Sequence, residues 1–305
     1  MKVVICGGLG YIGSALIELY RNETEHEIYT IDKKFVPHIV ANLPEHVRHI
    51  EGDILDEDLT RPILKGADVV YQLAAEVEAE KSIHKEEAIW KNNYEGALKV
   101  IDMCDPETRL VFPSTGNVFG GVDEKEKYMH LTEEDEPRPK YPYAESKRAI
   151  EKKLLARKDR NYTIVRFGTN YGYAPGIRFN LVTNVFMKRV ILNQDLTIHG
   201  SGENYRPTVH VMDAAGGAKF LSALPEARGQ IYHVIRECYK IRELAENVAK
   251  HNPSVKLNFV AKEVPFSSYH LSNDKLVKAG YKFLFDLDSG VRDMIERFRQ
   301  MRAVA

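Results

Sequence analysis

Cysteine is scarce in this chain. Cys6, Cys104 and Cys238 are the only three in 305 residues. They are scattered, odd in number and without metal-ligand spacing. This excludes a disulfide framework and a zinc or other metal site of that kind, and it fits a reducing, cytoplasmic setting. His84, His199 and His210 show no metal spacing either. An excess of one charge is also missing. Lys and Arg total 43 against 44 Asp and Glu, a formal net charge of −1. No global basic field is available for nucleic acid or for an anionic membrane surface. No apolar run approaches the roughly 20 residues of a transmembrane helix. The opening Met1-Lys2-Val3-Val4-Ile5-Cys6 has the charge and apolarity of a signal-peptide start. Its apolar run breaks at Gly7, however, so it reads as a first strand. Repeats and low-complexity tracts are absent. The acidic stretch 123–136, with Lys125 and Lys127 mixed in, reads as a solvated loop.

What is present points to a soluble α/β protein. Hydrophobic residues make up 44% and charged residues 29%, ordinary proportions for a globular chain long enough for two lobes. Strand patterns at 2–6, 28–31, 47–51, 67–73, 109–112 and 162–167 alternate with helical patterns at 11–20, 88–104 and 143–156. This alternation predicts a Rossmann-type, doubly wound parallel sheet with helices on both faces. The pattern changes after Gly168. A loop at 171–176, a helix at 181–192 and short strands at 196–200 and 208–211 follow. Then come a strand at 230–234, a helix at 241–250, a strand at 256–260 and a last helix from Leu287. We expect a dinucleotide-binding domain over 1–167, a return to it around 206–224, and a smaller mixed α/β substrate lobe over 168–305.

Two stretches carry the chemistry. Gly7-Gly8-Leu9-Gly10-Tyr11-Ile12-Gly13 joins the first strand to the first helix. Gly7 ends the strand, Gly10 lets the backbone approach a pyrophosphate and Gly13 lets the helix pack on the sheet. The helix start at Tyr11 and Ile12 offers N–H groups to the phosphates. Asp32 closes the second strand roughly 20 residues on, where an acid binds ribose hydroxyls and repels a 2′-phosphate. NAD is therefore expected over NADP, a preference that Lys33 and Lys34 weaken. The second stretch is Tyr143-Ala144-Glu145-Ser146-Lys147. Its Tyr and Lys lie four apart and share a helix face. A free phenol with a pKa near ~10 is a poor base at neutral pH. A nearby ammonium favours the phenolate, and the cationic nicotinamide ring is expected to add to this. Tyr143 is then expected to take a hydroxyl proton while hydride leaves the same carbon. Thr115, after the fifth strand, is expected to hold that oxygen. Ser114 is its rival for this role.

The spacing G-x-x-G-x-x-G resembles that of extended short-chain dehydrogenases/reductases, the NAD-dependent sugar epimerase/dehydratase family. Further segments are similar to family motifs, in order, across nearly the whole chain. Gly52-Asp53-Ile54 resembles the adenine-binding acidic motif. Val70-Tyr71-Gln72-Leu73-Ala74-Ala75 resembles the strand-four signature beside the cofactor. Asn93-Tyr94-Glu95-Gly96-Ala97 resembles a helix motif whose Asn supports the tyrosine–lysine region. Residues 112–120 resemble the Ser/Thr loop, and by spacing from Gly120 the resemblance selects Thr115. Arg166 to Gly172 and Arg206-Pro207-Thr208-Val209-His210-Val211 resemble two further segments. The resemblance implies bound NAD, held by the glycine turn together with Asp32, Lys33, Asp53, Ile54, Leu73, Ala74, Ala75, Asn93, Tyr143 and Lys147. It implies a nucleotide-diphosphate sugar as substrate, met by Glu76, Ser114, Thr115, Thr169, Asn170, Arg178, Asn180 and Arg206. It also implies a homodimer through the helical stretches 88–104 and 143–156.

Departures from the family narrow the reaction. The family's 4,6-dehydratases carry an Asp-Glu pair directly after the catalytic threonine, where this chain has Gly116-Asn117. Its 3,5-epimerases use a Cys at the position of Asn117. Pro113 stands where a serine is usual, and Thr169, with Asn170 beside it, replaces the substrate-contacting Asn. What is left is an NAD-dependent epimerase acting at C4 through a 4-keto sugar. The alternatives are a nucleotide-sugar dehydrogenase, reductase or dehydratase on the same residues. A non-catalytic NAD-binding regulator is disfavoured because Tyr143 and Lys147 are retained.

Overall fold

The structure, a computed structural model, describes residues 1–77, 84–122, 129–157, 159, 161–261 and 268–304. The part of the acidic loop at 123–128 lies outside them. The large sheet comprises β1 (Lys2–Cys6), β2 (Glu27–Asp32), β3 (Val47–Glu51) and β4 (Val69–Gln72). It continues with β5 (Arg109–Thr115), β6 (Tyr162–Phe167) and β7 (Gln230–Val234). Their order is β7-β6-β5-β4-β1-β2-β3, and every pairing is parallel. The order reverses between β1 and β4, which opens a crevice beyond the carboxyl ends of those strands. All residues of β5 and β6 are buried, because helices cover both faces of the sheet.

One face packs on helices Tyr11–Tyr20 and Val211–Ala223, the other on Gly96–Met103 and Pro142–Leu155. Helix Val211–Ala223 had no expectation from the sequence. Its apolar residues are spread around it rather than striped, so a 3.6-residue period is weak. The ring of His210 caps it, accepting from Met212 N at 3.3 Å, so the strand expected to reach Val211 stops at His210. The chain thus returns to the large sheet over 211–234, further along than 206–224. β7, expected in the smaller lobe, is an edge strand of the large sheet. The helix expected over 88–104 is interrupted by a π-helical segment, Trp90–Glu95.

The smaller lobe has its own core, built from Phe186, Met187, Leu196, Ile198, Leu244, Val248, Val291 and Met294. It is tied to the glycine turn by polar contacts. Tyr11 Oη donates to Gly172 O. Asn184, fully buried, accepts from Gly172 N at 3.1 Å and donates to Tyr11 Oη at 3.0 Å and to Arg178 O at 2.9 Å. Gly176 N donates to Ser14 Oγ at 2.9 Å. Among the described residues, no helix is long and apolar enough to cross a membrane.

Candidate active site

The turn after β1 depends on its first glycine. Gly7 has a φ of 84°, and a Cβ there would stand 2.7 Å from the backbone nitrogen of Ala74. Only glycine lets this turn meet the chain leaving β4. Gly10 caps helix Tyr11–Tyr20 without a side chain, which leaves first-turn N–H groups directed at an anion. Asp32 Oδ2 accepts from Leu9 N at 3.3 Å and its Oδ1 from Lys34 N at 3.2 Å, so the carboxylate braces the loops beside the turn. A cavity of about 480 Å³ runs past Asp32, Lys33, Ile54 and Ala74. A second, of about 300 Å³, is lined by Ile12, Gly13, Thr115, Tyr143 and Lys147. The two share Gly7, Gly10, Leu73, Ala75 and Arg178 as walls and so form one trough over the crevice.

Thr115 ends β5. Its Oγ1 accepts from Asn117 N at 3.1 Å, capping the short 3₁₀ turn Gly116–Phe119. With that lone pair engaged, its hydroxyl hydrogen-bonds the Tyr143 phenol. Lys147 lies one turn further along helix Pro142–Leu155, buried, with Nζ 4.9 Å from the centre of the Phe112 ring. Burial pulls Lys147 from 10.5 down to about 7. It also pushes the Tyr143 phenol up, against the Arg178 charge and the Thr115 hydrogen bond. The Arg178 charge favours the phenolate here. One turn beyond Lys147, Glu151 accepts from Arg166 Nε and Nη2, each at 2.9 Å, from Ser114 Oγ at 2.5 Å and from Arg148 Nη1 at 3.0 Å. This buried cluster joins the end of β5, the helix and β6. Ser114 spends its hydroxyl proton there, and its side chain also lines the Tyr143 cavity.

The sequence profile of the NAD dependent epimerase/dehydratase family matches residues 3–234. The chain belongs to this family. Among its relatives, the low-salt glycan biosynthesis protein Agl12 of Haloferax volcanii is 28% identical over 225 residues, 70% of each chain. A dTDP-glucose 4,6-dehydratase of Streptomyces niveus is 26% identical over 249 residues, 77% of this chain and 72% of that one. The solved UDP-N-acetylglucosamine 4-epimerase of Methanobrevibacter ruminantium superposes with a TM-score of 0.86 at 23% identity, over 98% of both chains. The UDP-glucose 4-epimerase of Thermus thermophilus, solved with NAD, gives 0.83 at 25% identity over 98% of this chain and 99% of that one.

The family's dinucleotide is NAD, and the trough suits it: a turn that tolerates no Cβ, open helix N–H groups and an acid at the end of β2. The residues named from the sequence take different places around the trough. Asp53 is not in the trough lining; it pairs with Lys33 at 3.1 Å and accepts from Leu55 N. Asn93 is buried and spends its amide on the Glu76 backbone, accepting at 2.7 Å and donating at 2.8 Å. Glu76 and Asn180 line the Asp32 cavity, not the one holding Tyr143. Arg206 lines neither; its Nη1 donates to Tyr205 O at 3.0 Å, and its charge acts on Tyr269. Tyr11 lines the Tyr143 cavity, and its phenol donates to Gly172 O. Thr169 and Asn170 do line the Tyr143 cavity. Glu151 and Tyr269 were not foreseen, and Asn117 was named only as a departure from the family's acid–base positions. Glu151 had a signal, since it continues the four-residue spacing of Tyr143 and Lys147. Tyr269 had none, because its neighbours here are remote in sequence.

Proposed function

We propose that this chain is a nucleotide-sugar epimerase that inverts C4 of a nucleotide-diphosphate hexose through a transient 4-keto sugar. The observation that carries this reading is the lining of the catalytic cavity. Among the described residues it holds Thr115, Tyr143 and Lys147 and no carboxylate. One proton acceptor suffices for a hydroxyl proton that leaves and returns. Elimination of water needs an additional base for a carbon acid. Tyr143 takes the C4 hydroxyl proton while Thr115 holds the oxygen. NAD, when bound, would supply a reversible acceptor for the C4 hydride. Tyr143 then returns its proton once the ring presents its other face. Arg178, at the junction of the two cavities, suits the diphosphate of such a substrate.

The test is turnover of UDP-hexose deuterated at C4. The label should stay at C4 in the epimer, with no added cofactor needed and no net NADH formed. Stoichiometric NADH with a keto sugar would instead identify a dehydrogenase. Loss of water would identify a dehydratase, the reaction named for one of the relatives.

A further inference from the structure

Ser114, Arg166 and His233 stand opposite one another in a row across β5, β6 and β7. All three are buried, and the hydride chemistry uses none of them. His233 is a fully buried imidazole on an edge strand, and each of its nitrogens faces a group of fixed role. Nδ1 lies 3.0 Å from Ser272 O, a carbonyl that only accepts. Nε2 lies 3.4 Å from Arg166 Nη1, a guanidinium nitrogen that only donates. One neutral tautomer, with its proton on Nδ1, satisfies both. Burial and the Arg166 charge pull the His233 pKa down to about 3, so the ring stays neutral at ordinary pH.

These two bonds close a ring of contacts around Thr115. On one side of Thr115, Ser114 donates to Glu151, Glu151 accepts twice from Arg166, and Arg166 donates to His233. On the other side, the turn Gly116–Phe119 is held by the segment that ends at Ser272. A Cβ on Gly116 would come within 2.9 Å of Leu271 Cδ1, and Tyr269 Oη donates to Asn117 Oδ1 at 2.8 Å. The carbonyl of Ser272 then returns to His233 Nδ1. Phe119, at the end of the turn, meets the His233 ring edge-on at 5.7 Å, and the Arg166 guanidinium lies 5.2 Å from the centre of the Phe119 ring. The peptides on both sides of Thr115 are thus tied to one imidazole.

We propose that His233 is a positioning residue: as a neutral link between Arg166 and Ser272 it closes this ring and so holds the Thr115 hydroxyl in line with the Tyr143 phenol. This role rests on the reading of Tyr143 as the proton acceptor and extends it to a side chain that lines neither cavity.

The test reads the contact between Thr115 and Tyr143 without substrate. In the NAD-loaded protein, phenolate absorbance with Tyr143 minus that with Tyr143→Phe follows this one phenol through a pH titration, and the same difference is taken in each variant. The Thr115 hydrogen bond favours the phenolate. His233→Leu opens the ring and should therefore move the titration up by about one pH unit. Ser114→Ala opens the same ring at its other end with little lost volume, which keeps the test decisive should His233→Leu fold poorly. It should shift the phenol the same way, and the double variant should shift it no further than the larger single change, because a ring is opened only once. Retained NAD reports a folded site. With UDP-glucose as the probe substrate, His233→Leu should lower kcat about tenfold and leave KM within about twofold. An unmoved titration in both single variants, or shifts that simply add, would overturn the role of His233 and leave the function proposed above to its own test. Shifted titrations in a chain that epimerises no UDP-hexose would uphold the role of His233 and remove the epimerase.

Discussion

The buried cluster around Glu151 makes a quantitative prediction. Glu151 and Arg166 are each at most 1% exposed and share a bidentate pair with both contacts at 2.9 Å. Arg166→Leu removes two charge-assisted bonds and leaves the carboxylate with Ser114 and Arg148 alone. Stripping one partner from a buried ion pair costs about 3–5 kcal/mol. Arg148 remains within 3.0 Å of Glu151, so the lower end of that range is expected. The double variant Glu151→Leu, Arg166→Leu removes both charges and should cost less than the sum of the single variants by at least about 2 kcal/mol. Urea unfolding followed by circular dichroism, with an unchanged m-value, measures this. Turnover should fall with Arg166→Leu as well, because Ser114 hangs from Glu151 and Thr115 is its neighbour. A loss below about 1 kcal/mol, or single effects that simply add, would refute the reasoning.

Tyr143→Phe should retain NAD and lose turnover, as absorbance of the bound cofactor and epimer formation will report; full activity would end the phenol mechanism. The folded protein holds the Lys147 proton more weakly than the unfolded chain, at about 7 against 10.5. The unfolded state therefore carries more protons between those values, and stability of the cofactor-free protein should rise with pH across that window. Below it the full penalty, on the order of 4–5 kcal/mol, is present. Thermal melts of Lys147→Met should lack this slope. Asp32→Ala should weaken NAD binding and narrow the gap to NADP, measured by fluorescence titration; unchanged affinities for both would place the ribose elsewhere. Two copies are expected to associate through 88–104 and 143–156, and a monomeric mass in light scattering at micromolar concentration would exclude that.

Much of the large sheet was legible because its physics is local. Continuous apolar runs such as 162–167 mark a strand buried on both faces, and a glycine turn between strand and helix marks an anion site. Helix Val211–Ala223 was hidden because Ala214, Ala215, Gly217 and Ala218 pack at close quarters without an apolar stripe. Tyr143 and Lys147 could be put together from the sequence because they are neighbours along one helix, and both line one cavity with Thr115. Sequence spacing failed where a side chain's use is decided by a distant partner. Asn93 meets a backbone segment 17 positions earlier. Tyr269 reaches Asn117 across 152 positions. Arg178, named only for phosphate, proves to sit close enough to act on Tyr143. Local spacing contains none of these encounters.

The contacts that bind Gly172, Gly176 and Asn184 to Tyr11 and Ser14 bear on how long a dinucleotide stays. A pyrophosphate seated at Gly10 would lie beneath a segment stitched to the very helix that holds it. Its departure would require those bonds to part together, with Asn184 losing several at once. Release then becomes an opening event of the protein rather than simple escape of a ligand. The epimerase proposed above, which would give its hydride back at every cycle, has no use for rapid exchange, and the stitching would make NAD behave as a prosthetic group with a long residence time.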